Sequence, residues 1–419
     1  MRSTGVICEF NPFHGGHAYL LSRMREEVGE EGCVVCLMSG RFVQRGEAAM
    51  ADPYLRAQMA LAGGADLVLE LPFPWSAGSA EHFALGGVRL LSALGVDSLT
   101  FGSECGDREL LLRAAAAVSD PRFGETYSAL CRAGSGTAAA YTEALRRVAD
   151  MGGTPLPDGF PSSNDLLGIA YLRSLALVRA ESGHAPAATV IPRLGSGYRE
   201  DTLIAGAYPS ATAIRLLLRE AACDPLALAA MLEGTMPDAP LAILLDAINR
   251  GEAPMESGRL MPFFHALYRL KSPADMESCA EWSGGLAGHI CRHAKGTATS
   301  KAFFDALRTK LYPDARLRRA LLFGAVGVTE DDLRACPTYT TLLAANRRGC
   351  AYLKEWRKSF NKAAATTAAI TVVTKPADTP ASRERDLGDA ADSLFTLCFP
   401  TPRAAGDMYK RGPCVERST

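Results

Sequence analysis

Two histidines bracket a glycine pair at His14-Gly15-Gly16-His17, directly after the apolar run "GVICEF" and directly before a stretch with helical spacing. A loop that leaves a strand and feeds a helix N-terminus is a natural anion site, because free backbone N–H groups and the positive end of the helix dipole face whatever binds. Gly15 and Gly16 would let the backbone approach a phosphate closely, and His14 and His17 would add imidazole donors aimed at the same spot. Such donors suit in-line attack on a nucleotide's α-phosphate, which needs stabilisation of developing charge rather than a covalent nucleophile. Taken alone, the pair also reads as two histidines that cap a helix and bond the local backbone.

Three further stretches weigh towards the chemical reading. In "YPSATAIRLLL" Ser210 stands where a helix N-cap would, Thr212 lies in the first turn, and Arg215 follows one turn later. Together they offer hydroxyls, N–H groups and a guanidinium to one pyrophosphate. "FGSE", residues 101–104, places Gly102 at a strand end where an adenine or ribose could lie close. "MSGRFVQRGEAA" is another strand-end loop, carrying Ser39, Arg41, Gln44 and Arg45. Ligand-binding loops of open α/β sheets gather at the carboxyl edge of the strands, and all these stretches fall there.

The elements that must hold them alternate. "TGVICEF", "CVVCLMS", "ADLVLELP", "VDSLTFGSE" and "AATVIPRLG" read as strands, with helices over 16–28, 52–62 and 80–94 and mostly helical sequence over 106–150. Near-continuous apolar strands alternating with helices predict a parallel sheet covered on both faces, an α/β Rossmann-like layout without the dinucleotide glycine fingerprint. Beyond about residue 225 the pattern is mostly helical. From about 337 it shifts again, to a basic helix in "AANRRGCAYLKEWRKSFNK" and a strand in "AAITVVTKPAD". The chain of 419 residues therefore divides into a nucleotide-binding catalytic domain (1–225), a helical domain (226–336) and a basic C-terminal region (337–419) packing back on the first.

Hydrophobic residues make up 48% and charged residues 22%, a globular balance, and the formal net charge of −1 announces no polyanion partner. No run approaches the roughly 20 apolar residues of a membrane span, and the N-terminus lacks a secretory signal. Twelve cysteines without a framework suit reduced thiols in a cytoplasm. Cys33 and Cys36, three apart on a strand, point to opposite faces and read as core residues; His289, Cys291 and His293 lack a second ligand cluster and read as incidental. Basic residues nevertheless cluster locally, around Lys310, Arg316 and Arg319 and around Arg347 and Arg348, with Tyr312, Tyr352 and Trp356 interleaved. These are candidate RNA-backbone contacts and stacking platforms; the bland alternative is a solvated helix face.

H-x-G-H with a late S-x-T-x-x-R resembles the H-x-G-H nucleotidyltransferase superfamily. The ordered string "EFNPFHGGH", "MSGRFVQRGEAA", "DLVLELPF", "FGSE", "SSNDLLG", "PRLGSGY" and "SATAIR" is similar to the bacterial tRNA(Met) cytidine acetate ligase family, over nearly the whole chain. That resemblance implies ATP-dependent activation of acetate to acetyl-adenylate, with Mg2+ bound with the ATP and diphosphate released, and acetyl transfer to the wobble cytidine of elongator tRNA(Met) to form N4-acetylcytidine. It implies catalytic roles for His14, His17, Ser210, Thr212 and Arg215. ATP contacts carry over to Ile7, Cys8, Glu9, Phe10, Asn11, Pro12, Phe13, His14, Gly15, Gly16, His17, Ala18, Tyr19 and Leu20, and to Gly102, Asn164 and Arg193. Gly15 and Asp165 depart from the family's usual larger polar residue and second Asn, so Asp165 is not carried over. Acetate, already ionised at pH 7, needs no base to attack the α-phosphate, whereas the cytidine amine must lose a proton. The sequence names no obvious base for that step; Glu9, Glu47 and Glu104 are conceivable. The H-x-G-H chemistry alone equally suits adenylylation of a small phosphorylated metabolite without RNA, and a non-catalytic nucleotide-binding relic is a third reading. The basic helices beyond residue 225 favour an RNA substrate, and self-association stays open.

Overall fold

A computed structural model of the chain describes residues 1–153, 155–193, 210–220, 225–363 and 370–416. From the N-terminus, β1 (Ser3–Cys8) leads into α1 (Gly15–Val28), β2 (Cys33–Ser39), a small hairpin of β3 (Phe42–Val43) and β4 (Glu47–Ala48), and α2 (Pro53–Ala62). β5 (Leu67–Leu71), α3 (Ala80–Ala93) and β6 (Ser98–Ser103) follow. Then α4 (Arg108–Ser119), α5 (Pro121–Arg132), α6 (Thr137–Met151) and α7 (Ser163–Ser182) precede β7 (Ala187–Pro192). The five long strands run parallel in the order β5-β2-β1-β6-β7. Chain order reverses direction at β1, so the carboxyl ends of β1 and β6 frame a switch-point crevice. Both faces of the sheet are covered, which is why every residue of β2 is buried. Cys33 and Cys36 are among them, fully out of solvent.

Local chemistry starts the helices where the sequence suggests. Asp52 caps α2 by accepting from Tyr54 N at 2.9 Å, with Pro53 in the first turn. Asp107 accepts from Glu109 N and Leu110 N at the start of α4.

α8 (Ala211–Glu220), α9 (Pro225–Leu232) and α10 (Asp238–Asn249) lie on the face already holding α1 and α2, where Ile214, Leu228, Leu232 and Leu244 join the core. A boundary at 226 thus falls within the part of the chain that covers the sheet. A separate helical unit is built by α11 (Met261–Leu270), α12 (Leu286–Gly296), α13 (Ser300–Leu307), α14 (Asp314–Val326) and α15 (Glu330–Arg334). Its core gathers Tyr268, Trp282, Phe303 and Phe323, and takes in Phe42 from β3 and Phe73 from the loop after β5. On α12, His289 Nε2 lies 3.0 Å from the Leu307 carbonyl and Cys291 is buried; among the described residues no group of His, Cys, Asp and Glu could hold a metal ion.

The tail returns to the sheet. β8 (Tyr339–Ala345) pairs antiparallel with β5, α16 (Arg347–Ala363) follows, and β9 (Thr371–Val373) and β10 (Cys414–Val415) pair with β8. Between β9 and β10, α17 (Arg383–Phe395) feeds Leu387 and Phe395 into the helical unit's core. The sheet is therefore mixed rather than wholly parallel. "YTTLLAA" hides this strand because it is buried along its whole length and so shows no alternation, while its Leu and Ala suit the helix that follows. The junction is pinned by Asp66, whose side chain is fully buried. Its oxygens accept from Val34 N at 2.8 Å, from Asn346 Nδ2 at 2.8 Å, from Arg348 Nε at 2.8 Å and from Arg25. A Cβ at Gly349 would stand 2.2 Å from the Asp66 carbonyl oxygen, so only glycine lets α16 approach so closely. No helix among the described residues is long and apolar enough to cross a membrane.

Candidate active site

The H-x-G-H loop begins where β1 ends. Phe10 takes a left-handed conformation (φ 44), and its buried ring packs 5.1 Å from Phe13 and 4.8 Å from His17. Asn11 is held at both ends: its Oδ1 accepts from Met50 N at 2.7 Å and its carbonyl from Arg215 Nη1 at 2.7 Å. His14 is the N-cap of α1, with Nδ1 accepting from Gly16 N at 3.1 Å, and His17 Nδ1 accepts from His14 N at 3.3 Å. The two rings stack at 3.7 Å.

Burial, reinforced by Arg193 and Arg215, lowers the His14 pKa to about 3; burial, then His14 and Arg193, hold His17 well below the usual range. Both rings are neutral at pH 7. Since each Nδ1 accepts a backbone N–H, the proton of each ring sits on Nε2. Capping and donation are thus divided between the two nitrogens of one ring.

The backbone amides tell a different story from the sequence. Gly15 N donates to the Thr235 carbonyl at 3.0 Å and Gly16 N to His14. These glycine N–H groups are bonded within the protein rather than free for a phosphate, because the turn before α10 closes over the start of α1.

Ser210, buried, caps α8 by accepting from Ala213 N at 3.1 Å, and Thr212 Oγ1 accepts from Arg215 Nη2 at 3.0 Å. The "GSGY" run at 195–198 and Tyr208-Pro209 lie outside the described residues. At the end of β6, a Cβ on Gly102 would meet Arg193 Cγ at 3.1 Å, so the absent side chain makes room for the arginine stem. Glu104 accepts from Asn164 N at 3.1 Å and Asn164 Nδ2 at 2.6 Å, with Arg193 Nε at 3.8 Å. Asp165, next door, turns inward: it accepts from Ser103 Oγ at 2.6 Å and Cys105 N at 3.1 Å and closes the capping box with Ser162.

These residues meet around one cavity of about 420 Å³ at the β1–β6 switch point. His14, His17, Ser210, Thr212 and Arg215 line it, with Gly102, Asn164 and Arg193. Phe83, Phe101, Leu166, Leu167 and Tyr171 form an apolar flank suited to a flat base. From the first loop, Ile7, Cys8, Glu9, Phe10, Asn11 and Leu20 also line it, whereas Pro12, Phe13, Gly15, Gly16, Ala18 and Tyr19 do not. Phe13 is fully buried and holds the loop from beneath.

The basic residues separate. Arg319 lines the cavity from α14, its Nε donating to Glu281 Oε1 at 2.6 Å. Gly46 (φ 68) packs against the Arg318–Arg319 backbone, where a Cβ would come within 2.6 Å, so the hairpin loop and α14 form one wall. Arg316 bonds the Ser283 carbonyl at 3.0 Å, and Lys310 is exposed in the same unit. Arg347 and Arg348 follow β8 at the opposite, strand-start edge of the sheet, where Arg348 is tied to Asp66; the structure does not bring them to the cavity.

One residue behind the cavity has only a faint sequence signal. Arg56 on α2 is fully buried, and its guanidinium donates to the carbonyls of Ala51 at 3.0 Å, Glu9 at 2.6 Å, Ser39 at 2.9 Å and Gly40. It ties the ends of β1 and β2 together behind the cavity. An arginine inside an apolar helix was the only hint.

A sequence model of the family described as HIGH Nucleotidyl Transferase matches residues 1–406. The chain is 35% identical over 370 residues to the tRNA(Met) cytidine acetate ligase of Syntrophotalea carbinolica, covering 85% of this chain and 83% of that protein. To the tRNA(Met) cytidine acetate ligase of Acetivibrio thermocellus it is 32% identical over 422 residues, covering 98% of each. Among solved structures it is similar to Thermotoga maritima TmcAL in its apo form, with a TM-score of 0.87 at 29% identity over 100% of both chains. It is also similar to the same protein bound with alpha-thio ATP, with a TM-score of 0.83 at 28% identity, covering 99% of this chain and 100% of that one.

Proposed function

The chain belongs to the HIGH nucleotidyl transferase family, and from that premise we propose that it is an ATP-dependent tRNA(Met) cytidine acetate ligase. It activates acetate as acetyl-adenylate, releasing diphosphate, and passes the acetyl group to the wobble cytidine of elongator tRNA(Met), forming N4-acetylcytidine. The observation that carries this reading is the end-to-end likeness to tRNA(Met) cytidine acetate ligases, helical unit and tail included, with both histidines, Thr212 and Arg215 intact around one cavity. Adenylylation of a small phosphorylated metabolite gains nothing from that likeness.

The geometry supports a first step without a base. The acetate carboxylate is ionised at pH 7 and needs only orientation and relief of repulsion at the α-phosphate. The Nε2–H groups of His14 and His17 would donate to non-bridging oxygens, and Arg215, anchored through Asn11 and Thr212, would supply the positive charge that neutral imidazoles do not. Gly102, Asn164 and Arg193 would seat the nucleoside end.

For Mg2+, the donor set is the test. Glu47 is bonded to Arg318 and Glu104 to Asn164, and no cluster of three acidic or imidazole ligands stands among the described residues. The residues present fit an ion carried on the phosphates with water rather than one held by protein carboxylates, and it would neutralise triphosphate charge there. The RNA would meet the protein on the helical unit, with Lys310 and Arg316 as backbone contacts, and would present its wobble base unstacked to the cavity.

The test is ATP–diphosphate exchange with and without acetate, followed by transfer of labelled acetate to tRNA(Met) transcript. Acetate-dependent exchange and label on the wobble cytidine are the expected results. Exchange supported by a phosphorylated metabolite but not by acetate would overturn the proposal.

A further inference from the structure

Acyl transfer to an exocyclic amine leaves a proton to be removed, and the cavity decides which group can take it. The histidines are unavailable: Nδ1 of each accepts a backbone N–H and Nε2 carries the ring proton, so neither has a lone pair to offer. Tyr171 is neutral, held well above its usual range by burial, with its hydroxyl donating to the Ile7 carbonyl at 3.3 Å. Three carboxylates line the cavity: Glu9, Glu47 and Glu104. Glu47 is 2.9 Å from Arg318 Nη1, and both oxygens of Glu104 accept from Asn164. Glu9 differs. Its Oε1 accepts from a neutral donor, Gln44 N at 2.9 Å, where Glu47 is paired with a guanidinium, and its Oε2, like that of Glu47, has no hydrogen-bond partner among the described residues. It follows the last residue of β1, between the H-x-G-H loop and the hairpin wall shared with α14. That is the seam between the nucleotide's phosphates and the helical unit that would carry the RNA.

We propose that Glu9 is the general base of the acetyl-transfer step, an inference that rests on the proposed ligase reaction. As the cytidine N4 attacks the acetyl carbonyl, the C–N bond forms, the acyl C–O bond to the adenylate phosphate breaks, and AMP leaves with the electron pair. The N4 proton passes to the Glu9 carboxylate and from there to solvent. Gln44 N fixes one oxygen and so aims the other. Burial raises the Glu9 pKa, and Arg215 from α8, Arg45 from the hairpin and Arg56 from α2 pull it back, while Cys8 and Tyr171 are its other titratable neighbours. The carboxylate is thereby a stronger base than an exposed one.

The experiment separates the two half-reactions. Glu9→Gln keeps the acceptor for Gln44 N, so the loop should hold. Single-turnover transfer from acetyl-adenylate to tRNA(Met) should fall about 10²- to 10⁴-fold, as for loss of a positioned base, while acetate-dependent exchange without RNA falls tenfold or less. The acid limb of the wild-type transfer rate should lie above the ordinary carboxylate range and disappear in E9Q. Glu9→Asp, which retains a carboxylate one methylene short, should transfer better than E9Q. Equal losses in exchange and transfer would make Glu9 a nucleotide-binding group and overturn the proposal, as would unchanged transfer or equal transfer by E9D and E9Q. Wild-type protein without acetate-dependent exchange would instead overturn the ligase reading itself.

Discussion

Replacing Arg56 by methionine tests whether the cavity is held in register from behind. The guanidinium bonds four carbonyls on three segments, the ends of β1 and β2 and the turn before α2. Burial lowers its pKa to about 10, which leaves it charged at pH 7. A hydrogen bond to a charged group contributes about 1.5–3 kcal/mol, but desolvating the guanidinium takes back much of that sum. Removing it from a buried network should therefore cost about 3–5 kcal/mol net, since methionine fills the stem's volume but leaves the carbonyls without a donor. Urea unfolding at pH 7 reads this as a fall in midpoint at unchanged slope. The functional effect should exceed the stability effect. Under conditions where both proteins are fully folded, exchange should drop about 100-fold, because a shift of about 1 Å between the Glu9–His14 loop and the hairpin wall misplaces the donors. Arg56→Lys, with one ammonium for four carbonyls, should fall between. A folded R56M protein with exchange within twofold of wild type would refute the idea that this arginine positions the site.

Other perturbations have definite signs. His17→Ala removes one Nε2 donor and should lower exchange about 10²- to 10³-fold with the melting temperature little changed; equal turnover would exclude the pair from the mechanism. Because His14 and His17 have lowered pKa values, their contribution to stability is fully present above about pH 6.5, the unfolded value, and is lost as pH falls towards the folded values. Exchange should accordingly show no histidine titration between pH 5.5 and 8, about the range where an ordinary imidazole would appear. Asp66→Asn should destabilise by about 3–5 kcal/mol by leaving Arg25 and Arg348 without their carboxylate, while KM for ATP stays put. Asp66 is held below the usual range by hydrogen bonds from Val34, Asn346, Arg348 and Arg25 that outweigh its burial, so its support is present above the unfolded pKa of about 4 and lost at lower pH. Lys310→Ala should weaken tRNA binding and reduce the salt slope by about 0.9; an unchanged slope would move the RNA footprint elsewhere.

Parallel strands and their carboxyl-edge loops were legible because each is a short apolar run broken by turn chemistry, as in "CVVCLMS" and "FGSE". The convergence of His14, Gly102 and Arg215 followed from motif order and the switch-point rule, and that of Asn164 and Arg193 from the family resemblance. What stayed hidden depends on long-range pairing. β8 is uniformly buried and carries no period to read. Arg348 sits in a basic run that looks like an RNA face, yet its partner Asp66 lies far away in sequence. Gly15 and Gly16 looked like phosphate donors, but the Thr235 carbonyl that takes one of their N–H groups belongs to a turn no local pattern points to. Arg56 makes every bond to carbonyls, which leave no trace in side-chain sequence.

The strand supplied by residues 339–345 means that the nucleotide-binding layer takes in a segment made long after its parallel strands. During synthesis, β5 emerges early with one ladder of backbone donors and acceptors unpaired, and the missing partner is made hundreds of residues later. A nascent chain halted anywhere before that point therefore leaves the β5 edge without its antiparallel partner. Evolution cannot easily shuffle such a domain onto other proteins, for the tail that closes the sheet also packs into the helical unit and binds both halves to one fate.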